Sequence, residues 1–437
     1  MNYLRIINEL YTGRIFYGKK RTLERMRKFI NLLGNPQDEY ESIHVTGTNG
    51  KGSVSKVLFE LLRSHGFHAG LYTSPHLSNF RERIRVDDER IGKDEIVNLM
   101  EQIEPMLLKL EDENPDFSPT FFDVVTAMAF MYFKIKKVDV AVVEVGVGGK
   151  LDSTNVIRNV KVGVITSVGL DHTKTLGNTI EKIAWEKAGI IKEGMDLVCA
   201  ETRSEVVKIV SKRVEEKNAR FFLRTKDYGF SNVRLKLNEN RFDYLGKGRI
   251  DDLLITLNGY NQIINTSTAL FAFERFMEHR GKKIEVDRVK STLRQVKWMG
   301  RFEVFQLGGK TVVMDGAHNP SAMEMLAKNL NVYFPRTRRI GIVGIIDDKD
   351  RDSIMRALDG SFDGIVVTNP MESRTCKIKD LMDVVKRYYP TAEFVESKIE
   401  AFKRAMKSDA DLIVITGSLY LVGYLRDYVA RLERNGR

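Results

Sequence analysis

Residues Ser42–Leu62 read SIHVTGTNGKGSVSKVLFELL, and this stretch decides the fold. Its opening, Ser42–Thr46 (SIHVT), is short and rich in β-branched residues, which predicts a buried strand. Gly47–Ser53 (GTNGKGS) follows, and then Val54, Val57, Leu58, Leu61 and Leu62 recur at helical spacing up to a terminating Gly66. A strand, a glycine loop and a helix in that order make a phosphate cradle. The glycines let backbone N–H groups turn inward, and the helix N-terminus adds partial positive charge. Lys51 would neutralise the outer phosphates, and the Ser53 hydroxyl lies where it can touch phosphate or metal. The spacing departs from the common P-loop pattern, because Val45 stands where that pattern has glycine and Gly52 separates Lys51 from Ser53. A plain glycine turn capping a helix is the competing reading.

Outward from this stretch the same alternation continues. Strands are predicted at Val138–Val145 and Val160–Ser167, and Phe221–Leu257 reads as antiparallel strands with turns at Asn238–Asn240 and Gly246–Gly248. Beyond Trp298-Met299-Gly300 the pattern restarts. Strands are predicted at Lys310–Met314, Arg339–Ile346, Gly364–Thr368, Ala392–Val395 and Asp411–Thr416, with helices at Ala322–Leu330, Asp380–Tyr388, Ile399–Met406 and after the last strand. This is an α/β protein of two units. Residues 1–297 are expected to form a P-loop-type ATPase domain with a mostly parallel sheet and residues 301–437 a smaller Rossmann-like α/β domain, with a linker at about 297–301.

Composition narrows the class. The 437 residues are 43% hydrophobic and 30% charged, an ordinary globular balance that excludes a disordered chain. The longest apolar run, Val124–Phe133, is too short to span a bilayer, and MNYLRIINEL lacks a signal-peptide core. Cys199 and Cys376 are too few for a disulfide framework or a thiolate metal site, which fits a reducing cytoplasm. The net charge of +11 suits nucleic acid or a polyanionic small substrate, but the densest basic cluster, Lys19-Lys20-Arg21, is brief.

The loop GTNGKGS resembles the ATP loop of the Mur ligase superfamily, and the stretches around it resemble its folylpolyglutamate synthase/dihydrofolate synthase branch. The resemblance is carried by Leu32–Pro36 (LLGNP), Thr73–Ile84 (TSPHLSNFRERI), Gly146–Asn155 (GVGGKLDSTN) and Gly169–His172 (GLDH). Ala184–Lys192 (AWEKAGIIK), Gly300–Glu303 (GRFE), Asp315–Pro320 (DGAHNP) and Gly417–Tyr420 (GSLY) extend it, from about Tyr11 to Leu425.

Glu144 ends a predicted strand, and a carboxylate at the carboxyl end of a parallel strand faces the ligand crevice, where it can hold Mg²⁺. An ion-paired structural carboxylate is the alternative. The resemblance assigns two Mg²⁺ ions to Ser74, Glu144 and His172 together with a carbamylated Lys187; read alone, Lys187 is a lysine on a helix, usually solvated. Lys51, His172 and Lys187 are the implied catalytic residues. ATP is implied to contact Gly47, Thr48, Asn49, Gly50, Lys51, Gly52, Ser53, Asn261, Arg301, Asp315 and His318. Pro75, His76, Phe80, Arg83 and Asp152 are implied to face the folate. Arg81, Arg83 and Arg85 can meet carboxylates, or the FRERIR segment can be an exposed, salt-bridged surface.

No GxSxG elbow or cysteine–histidine pairing points to a covalent nucleophile. The expected activity joins L-glutamate to the γ-carboxylate of a reduced folate through an acyl phosphate. Dihydrofolate synthase, acting on dihydropteroate, or both activities in one chain, is the close alternative; a basic nucleic-acid-binding ATPase is the remote one. The expected partners are ATP, L-glutamate and a reduced folate or dihydropteroate, with neither nucleic acid nor membrane, for a cytoplasmic monomer.

Overall fold

A computed structural model describes residues 2–12, 22–115, 118–371 and 377–435; Lys19–Arg21 and Cys376 lie outside them. The chain builds three sheets. The largest joins β1 (Glu41–Thr46), β2 (Ala69–Tyr72), β3 (Ile84–Val86), β4 (Glu89–Arg90), β5 (Val140–Glu144), β6 (Val160–Ile165), β7 (Asp196–Cys199) and β8 (Arg220–Leu223) in the order β4-β3-β2-β5-β1-β6-β7-β8. From β2 to β8 every pairing is parallel, and only the β3 and β4 edge is antiparallel. The β1 strand therefore sits centrally, between β5 and β6, and the crevice at the carboxyl ends of these strands is where such sheets bind ligands.

Alternate side chains of the sheet feed two cores. Ile43 and Val45 pack with Val54, Leu58, Leu61 and Phe273 on one face, beneath the helices Lys51–Ser64 and Tyr260–His279. Ala141 and Val143 join Phe130, Phe133 and Ile103 on the other. The apolar run Val124–Phe133 is part of the helix Phe121–Ile135, buried almost all round and covered by the helix Lys93–Glu113. Among the described residues no helix is long and apolar enough to cross a membrane.

The second sheet is antiparallel, β9 (Gly229–Arg234), β10 (Asn240–Leu245) and β11 (Arg249–Ile255), with the expected turn at Gly246–Gly248. Phe221–Leu223 corrects the sequence reading. It belongs not to this sheet but to β8, parallel to β7, because the intervening helix Ser204–Glu216 is the crossover that a parallel pair requires. The third sheet joins β12 (Glu303–Leu307), β13 (Lys310–Met314), β14 (Arg339–Val343), β15 (Gly364–Val367), β16 (Glu393–Phe394) and β17 (Leu412–Thr416) in the order β12-β13-β17-β14-β15-β16. It is parallel except for the β12–β13 hairpin. Several strands end one to three residues before their apolar runs do. Val145, Thr166 and Ile345 have left the ladder and begin the loops that line the cleft.

Candidate active site

The loop between β1 and the helix Lys51–Ser64 is tied down by its neighbours. The Thr48 hydroxyl donates to the Gly169 carbonyl at 3.1 Å and accepts the Gly169 N–H at 2.9 Å. The Thr166 hydroxyl donates to the Asn49 carbonyl at 2.6 Å, and Asn49 N–H donates to Ser167 Oγ at 3.0 Å. Gly50 lies at φ +88°, a conformation that needs no Cβ, and it opens the helix. Gly47 through Ser53 all line one cavity of about 160 Å³. Lys51 Nζ donates back to the Gly47 and Thr48 carbonyls at 3.0 and 3.2 Å. Burial lowers its pKa, opposed by the nearby Glu144 and Asp171 carboxylates.

Ser74, Glu144, His172, Lys187, Asn261, Arg301, Asp315 and His318 line the same cavity, so residues spread over most of the chain meet at one place. Glu144 is 4% exposed and accepts the Ser74 N–H on Oε2 at 3.2 Å. Burial pushes its pKa up to about 6, with Lys51 pulling the other way. His172 caps a short helix from the left-handed region, at φ +49°. Lys187 is no solvated side chain: it is 2% exposed, and burial, reinforced by Lys51, holds its pKa well below the ordinary lysine range.

The unit built on the β12–β17 sheet, the second lobe, lies over this cavity. Asn319 donates to Asn49 Oδ1 and to Asp171 Oδ2, each at 3.0 Å, and Asn49 donates to Ser321 Oγ at 2.9 Å. Lys349, on the loop after β14, forms an ion pair with Asp171 in which both side chains are under a tenth exposed. Burial would raise the Asp171 pKa, but Lys349, His172 and His318 hold it well below the usual carboxylate range. His318 Nδ1 donates to the Gly316 carbonyl at 2.7 Å, and burial, then Lys349, lowers its pKa to about 4. Asp315 accepts the N–H groups of Phe302 and Ala317, each at 2.8 Å, and so braces the turn that carries Arg301. Asn261 accepts from Asn329 of the second lobe at 3.2 Å.

A cavity of about 500 Å³ adjoins the first, sharing Ser74, Pro75, Gly146, Val147, His172 and His318 with it. Its remaining wall includes Phe121, Phe122, Leu151, Asp152, Arg83 and Tyr420. Arg83 is 6% exposed, donates to His76 Nδ1 at 2.9 Å and sits 5.4 Å from the centre of the Phe121 ring. Phe80 does not line this cavity. It is 4% exposed and packs edge-on to His76 and Phe121, so Phe121 and Phe122, with Tyr420, are the rings a planar ligand would meet. His76 is likewise behind the wall, supporting Arg83. The two readings of FRERIR divide by residue: Arg83 faces the cavity, whereas Arg81 binds the Ile91 carbonyl and Glu82 accepts the Leu77, Ser78 and Asn79 N–H groups. Asp152 spends its carboxylate on Val147 N–H at 2.9 Å and on Thr154, shaping the wall.

A model of the Mur ligase middle domain matches residues 45–273, and one of the Mur ligase glutamate ligase domain matches residues 300–419. The chain belongs to the Mur ligase family. It is 33% identical to the dihydrofolate synthase/folylpolyglutamate synthase of Bacillus subtilis over 95% of this chain and 96% of that protein. The folylpolyglutamate synthase structure from Thermotoga maritima superposes with a TM-score of 0.85 at 40% identity, covering 98% of this chain and 96% of the other. That from Mycobacterium tuberculosis, complexed with ADP and AMPPCP, gives 0.91 at 31% identity, covering 98% of both.

Three groups of this family member were not singled out as site residues from sequence: Lys349, Arg25 and the Phe121–Phe122 pair. Lys349 carried a signal, a charged run (Asp347–Asp350) directly after a buried strand. Arg25 carried none, since a charged residue on the amphipathic helix Leu23–Leu32 gives no sign that it turns inward to Asp123 at 2.8 Å.

The donor set suits Mg²⁺. Glu144 and Ser74 offer hard oxygens to one cavity, and a cation would restore charge to a carboxylate whose burial disfavours it. Among the described residues no group of three His, Cys, Asp or Glu could cage a metal.

Proposed function

We propose that the chain is an ATP-dependent carbon–nitrogen ligase that adds L-glutamate to the γ-carboxylate of a reduced folate or its polyglutamates. The observation that carries the reading is the shared wall of the two cavities: an acid lying against Phe121 and Phe122 presents its carboxylate where the phosphate loop presents a γ-phosphate. A third cavity of about 920 Å³, lined by Asn49, Gly50, Thr166, Asn261, His318 and Asn319, has room for the rest of the nucleotide.

The carboxylate oxygen attacks the γ-phosphorus, the bond to the bridging oxygen of ADP breaks, and an acyl phosphate forms. The amine of glutamate then attacks the acyl carbon, phosphate leaves with the bonding pair, and the amine proton passes to solvent or a nearby base. Lys51 and Arg301 stabilise charge on the phosphates from opposite lobes. Seating of the second lobe excludes the water that would hydrolyse the acyl phosphate. Glu144, Ser74 and His172 would hold Mg²⁺, which supplies charge neutralisation on the phosphate oxygens when bound. A lysine held neutral by burial is the form that reacts with CO₂, so Lys187 is the place for a carbamate. In this reading the lobes divide at about 297–301 and the enzyme works on small molecules as a cytoplasmic monomer.

A dihydropteroate activity is the second reading, favoured by the fact that the aromatic wall would serve the pteridine both substrates share. Purified protein given ATP, Mg²⁺, glutamate and each pterin in turn decides between them. Glutamylated tetrahydrofolate is the expected product; amide formed only from dihydropteroate would overturn the leading assignment. Turnover stimulated by added DNA or RNA would revive the nucleic-acid ATPase.

A further inference from the structure

Leu77 lines neither the phosphate-loop cavity nor the aromatic one. It lies on the strap Ser74–Asn79, which leaves the β2 side of the large sheet, and its side chain packs against a core of the other lobe, with Leu421, Val422 and Leu425. Two glycines form the seat. A Cβ on Gly423 would stand 1.9 Å from the Leu77 carbonyl oxygen, and one on Gly300 would stand 3.1 Å from Leu77 Cδ1. Gly423 lies inside the helix Leu419–Asn435, where alanine is the better helix former, so the helix itself gives no reason for glycine. The approach of the strap does.

The strap is fastened at both ends within its own lobe. Ser74 N–H donates to Glu144, and at the other end Glu82 accepts the N–H groups of Leu77, Ser78 and Asn79 at 2.8, 3.3 and 3.1 Å. Beside the knob, the Ser78 hydroxyl lies 3.2 Å from the Gly423 carbonyl and 3.3 Å from Asp427 Oδ1, both on the opposite lobe. One end of the strap is therefore fixed to the candidate metal carboxylate while Leu77 and Ser78, further along it, are seated against the opposite lobe.

We propose that Leu77 and the Gly300–Gly423 seat are positioning residues, which make the placement of Ser74 against Glu144 conditional on the second lobe being docked. Docking pushes the knob home and sets Ser74; undocking withdraws it and lets the strap relax. This rests on the reading of the cleft as a nucleotide site. It adds that the nucleotide–metal half of the site is assembled by a contact outside either cavity, so that ATP is not activated until the lobes are together.

The test uses the full chain with Gly423→Ala, Leu77→Ala and both together. Gly423→Ala should lower kcat by about tenfold or more, since misplacement of about 1 Å is costly in a site that works by positioning, and should lower Tm as well, because its Cβ meets a backbone oxygen. Half-saturating Mg²⁺ should rise, and calorimetric affinity for AMPPCP with Mg²⁺ should fall, in both single variants. The double variant should be no worse than the poorer single one, because both disturb the same seating of the strap. Should Gly423→Ala fold poorly, Leu77→Ala carries the same readouts. Unchanged kcat and Mg²⁺ requirement in Leu77→Ala, or additive losses, would overturn the seat. A wild type that binds no AMPPCP would instead overturn the nucleotide reading beneath it.

Discussion

Glu144→Gln separates function from stability at the heart of the site. The wild-type carboxylate is buried, and its pKa stands at about 6 against an ordinary 4.5, chiefly through burial, with Lys51 opposing. The folded state thus holds its proton more tightly than the unfolded chain does between these values. That contribution is fully present below pH 4.5 and is lost as pH rises through 6. At about 1.4 kcal/mol for each pH unit, the ionised carboxylate costs about 2 kcal/mol at neutral pH. Glutamine keeps the acceptor for Ser74 N–H and never ionises. The variant should therefore be the more stable protein near neutrality by about that amount. With about 2 cal/mol/K of unfolding entropy per residue over a lobe of about 300 residues, this is about 3 °C in Tm. Scanning calorimetry in EDTA should show this gap at about pH 7.5 and its closure at about pH 4.5. Added Mg²⁺ with AMPPCP should stabilise the wild type more than the variant, which should be nearly inactive. A variant less stable than wild type at neutral pH, or with the same pH slope, would refute the assignment of Glu144 as a carboxylate held charged for a cation.

Lys51→Ala should lower kcat by about 10²–10³ without unfolding the protein, because its ammonium bonds to the Gly47 and Thr48 carbonyls of its own loop; near wild-type turnover would contradict this. Arg25→Met should leave Asp123 buried without its cation, the pair being 5% and 2% exposed. A loss of about 3–5 kcal/mol follows, read as a fall in Tm, with a weaker KM for folate because both residues line the aromatic cavity. A carbamate ¹³C resonance assigned to a lysine Nζ should appear when the wild type is given ¹³C-bicarbonate and be missing in Lys187→Met, since the unprotonated amine is the form that reacts with CO₂ and burial favours that form at Lys187.

The phosphate loop was legible because its evidence is local: a β-branched strand, glycines, a lysine and an apolar helical stripe occur within about twenty residues, and each implies the next. The second lobe was legible for the same reason, strand by strand. What the sequence could not show was depth. Phe80 and Phe121 are equally aromatic on paper, yet one packs behind the other, and only the fold decides which faces a ligand. Lys187 looked solvated because a lysine on a helix usually is; its burial comes from Gly149, whose missing side chain lets the helix lie against the loop after β5. β8 was misread because an edge strand's partner is set by the crossover before it, not by its own residues. Asp171 and Lys349, nearly 180 positions apart, meet only once both sheets exist.

The central claim is that a nucleotide held between the lobes energises a carboxylate for attack by an amine. Folate labelled with ¹⁸O in its γ-carboxylate, turned over with ATP, Mg²⁺ and L-glutamate, tests it most directly through the mass of the released phosphate. The account predicts one ¹⁸O atom carried into each inorganic phosphate, with ADP as the other product. Unlabelled phosphate, or label released in AMP, would contradict it.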